Sequence, residues 1–148
     1  MFDRRARVLI VDGDPNVRRS LCQRLLDNEV FSDSVSDGKM AMDALSDSKY
    51  AVVVLDLAIS GVSAEMILER IASLPANVRP VVLGTGLHSA ARSLDADVVQ
   101  IVIRKPCDLA QLAEIVRSCV RNAADSIRKS DGLILSSRDS TAAADVVN

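Results

Sequence analysis

At 148 residues the chain fits one domain that can bury a real core. Apolar residues make up 49% of it but aromatics only 2%, so that core must be built from Val, Ile, Leu and Ala. A formal charge of −2 supplies no basic field for gripping nucleic acid, and no apolar run approaches the ~20 residues of a membrane span. Direct nucleic-acid binding and membrane insertion are therefore not expected.

The N-terminus, MFDRRARVLIV, has basic residues before a short apolar run. That run is too short for a signal peptide and is broken at Asp12. Arg4, Arg5 and Arg7 read as a solvated start. Cys22, Cys107 and Cys119 are odd in number and widely spaced, which gives neither a zinc nor a disulfide pattern. Reduced thiols fit a cytoplasmic location.

In chain order, Arg7–Val11 reads as a buried strand ended by the turn residues Asp12-Gly13-Asp14. Pro15 suits the first position of a helix, where its missing N–H is not needed, and Asp14 stands where an N-cap belongs. Val17, Leu21 and Leu25 repeat at helical spacing, with Arg18, Arg19, Gln23 and Arg24 between them as the wet face. Phe31–Val35 predicts a weaker second strand. Ser36-Asp37-Gly38 is turn chemistry before a short helix over Met40–Leu45.

Tyr50–Leu55 is apolar throughout, as a strand covered on both faces should be, and it ends in Asp56. Ser63–Leu74 carries Ile67, Leu68, Ile71 and Leu74 at helical spacing, with Ser63 as N-cap and Glu65 in the first turn. Pro80–Gly84 predicts a fourth strand, ending in Gly84-Thr85-Gly86, which reads as a turn. Ala90–Leu94 is a weak helix. Val98–Ile103 predicts a fifth strand, ending in Arg104-Lys105-Pro106. Leu109, Leu112, Ala113, Val116 and Val120 form the last helical stripe, with Asp108 and Gln111 placed as a capping box.

Strand and helix alternate about five times, which means a parallel sheet with helices on both faces and right-handed crossovers. In such a doubly wound α/β fold, functional groups gather at the carboxyl ends of the strands. Asp12, Asp56, Thr85 and Lys105 stand at four of those ends. Two carboxylates, a hydroxyl and an ammonium on one rim suit phosphoryl transfer to a carboxylate. That chemistry needs a nucleophilic acid, a divalent cation and fixed positive charge. Taken singly each residue has a blander reading: Asp56 can begin a loop, Thr85 can be turn chemistry and Lys105 a solvated charge. His88 reads as a solvated loop residue, and Leu83 and Val102 as core.

VLIVDGDPNVR, VVVLDLAISG, PVVLGTG and VIRKPCDL together resemble the receiver domains of two-component response regulators. The resemblance covers roughly Arg7 to Arg121 and implies a five-stranded flavodoxin-like, CheY-like fold. It implies that Asp56 accepts a phosphoryl group from a histidine kinase or phosphotransfer protein. It further implies that Asp12, Asp56 and the backbone carbonyl of Ala58 hold Mg2+. Thr85 and Lys105 would contact the phosphoryl group, across a Lys105–Pro106 bond that is typically cis in the family. The signal would pass to a downstream protein target, and self-catalysed phosphoryl acceptance is the only chemistry expected, so the chain is not otherwise an enzyme. The segment Gly86–Val102 with the last helix is the family's output face, which can support a homodimer or docking.

The chain departs from that pattern in three ways. Gly13 stands where receivers usually carry a second acid, which weakens the Mg2+ site. Val102 replaces the aromatic that usually accompanies the threonine. Ala58 and Leu87 occupy positions that often tune dephosphorylation, and both are apolar, so slow hydrolysis is expected. A phosphorylation-independent interaction module is the alternative that Gly13 and Val102 leave open. A minor alternative is a haloacid-dehalogenase-like phosphohydrolase, which Asp12-Gly13-Asp14 also resembles, with Asp12 as nucleophile. That family needs a further strand ending in acids after the lysine, and none is visible here.

Residues 1–121 are thus expected to form the receiver domain. Residues 122–148 are expected to form a polar tail in which Ile127 extends the last helix by a turn or two, without room for a DNA-binding output domain, as in a stand-alone receiver or a receiver cut from a longer chain.

Overall fold

A computed structural model describes residues 7–47, 49–86 and 97–132, and side chains as far as residue 123. The chain order is β1 (Arg7–Val11), α1 (Pro15–Leu26), β2 (Ser32–Val35), α2 (Gly38–Leu45), β3 (Tyr50–Asp56), α3 (Ala64–Ala72), a single 3-10 turn (Ala76–Val78), β4 (Val81–Gly86), β5 (Val99–Arg104) and α4 (Leu109–Gly132). All strand pairings are parallel, in the spatial order β2-β1-β3-β4-β5. Strand order reverses between β1 and β3, and in open α/β sheets the crevice beyond the strand ends at such a switch point is where ligands bind.

Successive side chains of a strand point to opposite faces, and that alternation divides the core in two. Leu9, Val11, Val53 and Leu55 face one way, against Ala41 and Leu45 of α2 and Ile67, Leu68 and Ile71 of α3. Val8, Ile10, Val52 and Val54 face the other way, against Leu21 and Leu25 of α1 and Leu112, Ala113 and Val116 of α4. Each fully buried aliphatic side chain contributes roughly 1.5–3 kcal/mol, which explains how a core with so few rings holds. Tyr50 is the one aromatic in this core among the described residues; its hydroxyl donates to Asp33 Oδ2 at 2.7 Å.

Helix starts follow local chemistry. The Asp14 carboxylate accepts the Asn16 N–H at 2.9 Å, Asp37 accepts that of Met40 and Ser63 that of Met66. Asp108 accepts the N–H groups of Ala110 and Gln111. Each cap satisfies donors that a helix's first turn leaves open. α2 begins at Gly38, two residues before the apolar stripe, because Asp37 caps it there. Gly38 also lies so close to Val62 that a Cβ would overlap the Val62 carbonyl.

Two elements differ from the sequence expectation. β4 does not stop at Gly84 but runs through Gly86, so Thr85 is a strand residue and not part of a turn. The cause is pairing on both sides: Thr85 stands between Asp56 of β3 and Ile103 of β5. Gly84 lies close under Leu57: a Cβ there would come within 3.2 Å of that side chain, which would have to shift by a few tenths of an ångström. The last helix continues unbroken to Gly132. The expected helix at Ala90–Leu94 and the residues Leu87 and His88 lie outside the described residues.

Candidate functional site

The carboxyl ends of β1, β3, β4 and β5 bring Asp12, Asp56, Thr85 and Lys105 to one rim. Asp12 follows the fully buried Val11, and its side chain is only 6% exposed. The backbone N–H of Asp14 donates to Asp12 Oδ1 at 2.8 Å, which fixes the carboxylate at the start of the turn. Arg18 Nη1 donates to the Asp12 carbonyl at 2.8 Å. Asp56 is the last residue of β3, with its side chain 15% exposed. Its Oδ1 accepts the Ala58 N–H at 3.0 Å.

Lys105 reaches both acids. Its Nζ donates to Asp12 Oδ2 at 2.7 Å and lies 3.3 Å from Asp56 Oδ2. Burial alone would lower the ammonium's pKa. The hydrogen bond and charge of Asp12, with the charge of Asp56, outweigh it and hold the pKa above its ordinary 10.5. Lys105 is therefore a fixed cation at neutral pH, clamped between two anions. The Lys105–Pro106 bond is cis, as the resemblance implied. All four oxygens of the two carboxylates thus have an internal partner: two backbone N–H groups and one shared ammonium.

Thr85 contrasts with the acids. The residue is 2% exposed, and its Oγ1 is buried with no hydrogen-bond partner among the described residues. A buried polar atom without a partner is costly. Thr85 stands directly beside Asp56 across the β3–β4 ladder.

Two departures noted in the sequence have structural counterparts. Gly13 brings no acid, yet a Cβ there would meet nothing nearer than the Ser36 carbonyl at 3.8 Å. Space does not explain the glycine. Val102 is half-buried against the α2/α3 side of the core. Among the described residues no group of three or more His, Cys, Asp and Glu is placed to hold a metal ion. Asp14 caps α1 with its own side chain, as its place before Pro15 predicted. Sequence reasoning missed Arg18: it was placed on the wet face, and only the turn geometry shows it holding the Asp12 carbonyl.

The comparisons with known proteins agree with this geometry. The family model for the response regulator receiver domain matches residues 8–117. A signal receiver domain from Vibrio parahaemolyticus superposes with a TM-score of 0.72 at 21% identity, covering 84% of this chain and 96% of that one. A response regulator receiver domain from Clostridium thermocellum gives 0.69 at 15% identity, covering 82% and 98%. A CheY-like receiver domain protein from Methanospirillum hungatei JF-1 gives 0.67 at 25% identity, covering 78% and 97%. No curated relative matches the chain.

The chain belongs to the response regulator receiver domain family, the signalling modules of two-component systems. That assignment leaves the phosphohydrolase reading without support. Among the described residues no helix is long and apolar enough to cross a membrane.

Proposed function

We propose that this receiver domain accepts a phosphoryl group on Asp56 from a cytoplasmic histidine kinase or phosphotransfer protein and signals to a downstream protein through its surface. The observation that carries the reading is the rim itself: two carboxylates bridged by one ammonium, beside a buried hydroxyl with no partner. An Asp56 oxygen attacks phosphorus, a P–O bond forms, and the bond to the donor's nitrogen or oxygen breaks with its electron pair leaving on the donor. Lys105 then pairs with the phosphoryl oxygens as a point charge, and Thr85 donates its hydroxyl to one of them.

Mg2+ is commonly held by one or two carboxylates plus phosphate oxygens and water. Asp12, Asp56 and the carbonyl of Ala58 fit that donor set, with one acid fewer because of Gly13. When bound, the cation neutralises charge on the transferring group. Ala58 presents no polar side chain to an attacking water, which favours a slowly hydrolysed phospho-form.

The test is intact mass after incubation with acetyl phosphate and Mg2+, with Asp56→Asn and Asp12→Asn alongside. One added phosphoryl group, lost in Asp56→Asn, is the expected result. No adduct at any Mg2+ concentration would refute it. The second reading, a phosphorylation-independent interaction module, is favoured by one observation: both acids are already internally paired without a cation from outside.

A further inference from the structure

Beside the acid pair, a cavity of about 390 Å3 opens between the N-terminal ends of α1 and α4. Its floor is Ile10 and Val54 of the sheet, and its walls include Leu21 and Leu112; all four are buried. Val17 and Leu109 are half-buried at its sides. The cavity is open to solvent on one side, and its size and apolar lining are those of small-molecule sites.

The polar groups lining this cavity are specific in kind. Asp12 and Asp14 supply acceptors, and Lys105 is the single cation among the described residues of the lining. Lys105 is already held by Asp12 and Asp56. The Thr85 hydroxyl is buried and has no partner among the described residues. The lining therefore carries a formal charge of −1 from two acids and one lysine. A primary ammonium offers three donors and no acceptor, which matches two carboxylates.

The geometry points to a binding site for a small primary amine with an apolar, aryl-alkyl-sized body. The body lies between Val17, Leu21, Leu109 and Leu112. The ammonium donates to the carboxylates of Asp12 and Asp14 at the polar end of the cavity. Occupancy requires no phosphorylation of Asp56, so the inference stands or falls separately from the proposed function.

The test is an NMR shift titration of the full chain with 4-phenylbutylamine, and with 4-phenylbutyrate as the anion of matched shape. The amine is expected to bind in the sub-millimolar range, the order that ligand efficiency sets for roughly a dozen heavy atoms. The anion should bind at least about tenfold more weakly, by charge complementarity. Asp14→Asn keeps the helix cap, since Asn caps as well as Asp. It removes one charge and should weaken the amine about fivefold or more. Val17→Phe fills the cavity and should abolish binding, and Leu109→Phe serves the same purpose if the first variant does not fold. Equal affinity for amine and anion would overturn the proposal, as would binding that survives the filled cavity or shifts that miss the lining residues.

Discussion

Replacing Lys105 with Met keeps most of the side chain's apolar stem and removes only its charge. The structure sets the scale of the loss. At 2.7 and 3.3 Å from two carboxylates, the gross attraction is about 6 and about 5 kcal/mol at an effective dielectric of about 20. Most of that is offset by desolvation. Breaking a fully buried pair costs about 3–5 kcal/mol, and an exposed pair contributes about 0–1 kcal/mol. Here the acids are 6% and 15% exposed and the lysine 29%, which places the expected cost near 2 kcal/mol. Urea unfolding followed by circular dichroism should show a lower midpoint with an unchanged slope. The melting temperature should fall by about 7 °C, taking roughly 3–4 °C per kcal/mol for a domain of this size.

The sign of the pH dependence follows from the raised pKa of Lys105. A cation whose folded pKa lies above its unfolded value stabilises fully below the unfolded value, and that contribution is lost as pH rises through the folded one. The gap between wild type and Lys105→Met should therefore stay constant from neutral pH to about 10.5 and close above it. Mg2+ should stabilise the variant more than the wild type, because it would meet two carboxylates freed of their ammonium. A variant as stable as wild type at neutral pH would refute the claim that this ammonium holds the acid pair.

Other outcomes follow from single positions. Gly13→Asp should fold normally, since the Cβ has room. It should raise Mg2+ affinity about tenfold or more, because it adds a carboxylate to a donor set one acid short; a Mg2+ titration of thermal stability reads this out. Gly38→Ala drives a Cβ into the Val62 carbonyl and should cost about 2 kcal/mol or more in urea unfolding. Tyr50→Phe loses the bond to Asp33 and should cost about 1 kcal/mol at neutral pH. Burial and then Asp33 push the Tyr50 hydroxyl's pKa up, so wild-type stability should decline from about pH 10 upward, and Tyr50→Phe should flatten that decline.

The apolar runs of β1 and β3 and the helical stripes of α1, α3 and α4 are local patterns. They are legible because burial demands one period for strands and another for helices. Asp14, Asp37, Ser63 and Asp108 sit at helix starts for an equally local reason: a short polar side chain reaches an N–H two or three residues on. Asp12, Asp56, Thr85 and Lys105 could be chosen because a parallel sheet brings its strand ends to one edge. Sequence placed Thr85 in a turn between two glycines, and pairing with β3 and β5 made it strand. A local reading cannot see that pairing, because its partners lie far away in the chain. Nor can it see that one ammonium holds two acids, that Arg18 turns inward to the Asp12 carbonyl, or that α1 and α4 leave a cavity beside them. The sequence by itself determined which residues reach the rim. Their distances, burial and pairing come from contacts between residues up to 93 positions apart, and only the tertiary structure decides those.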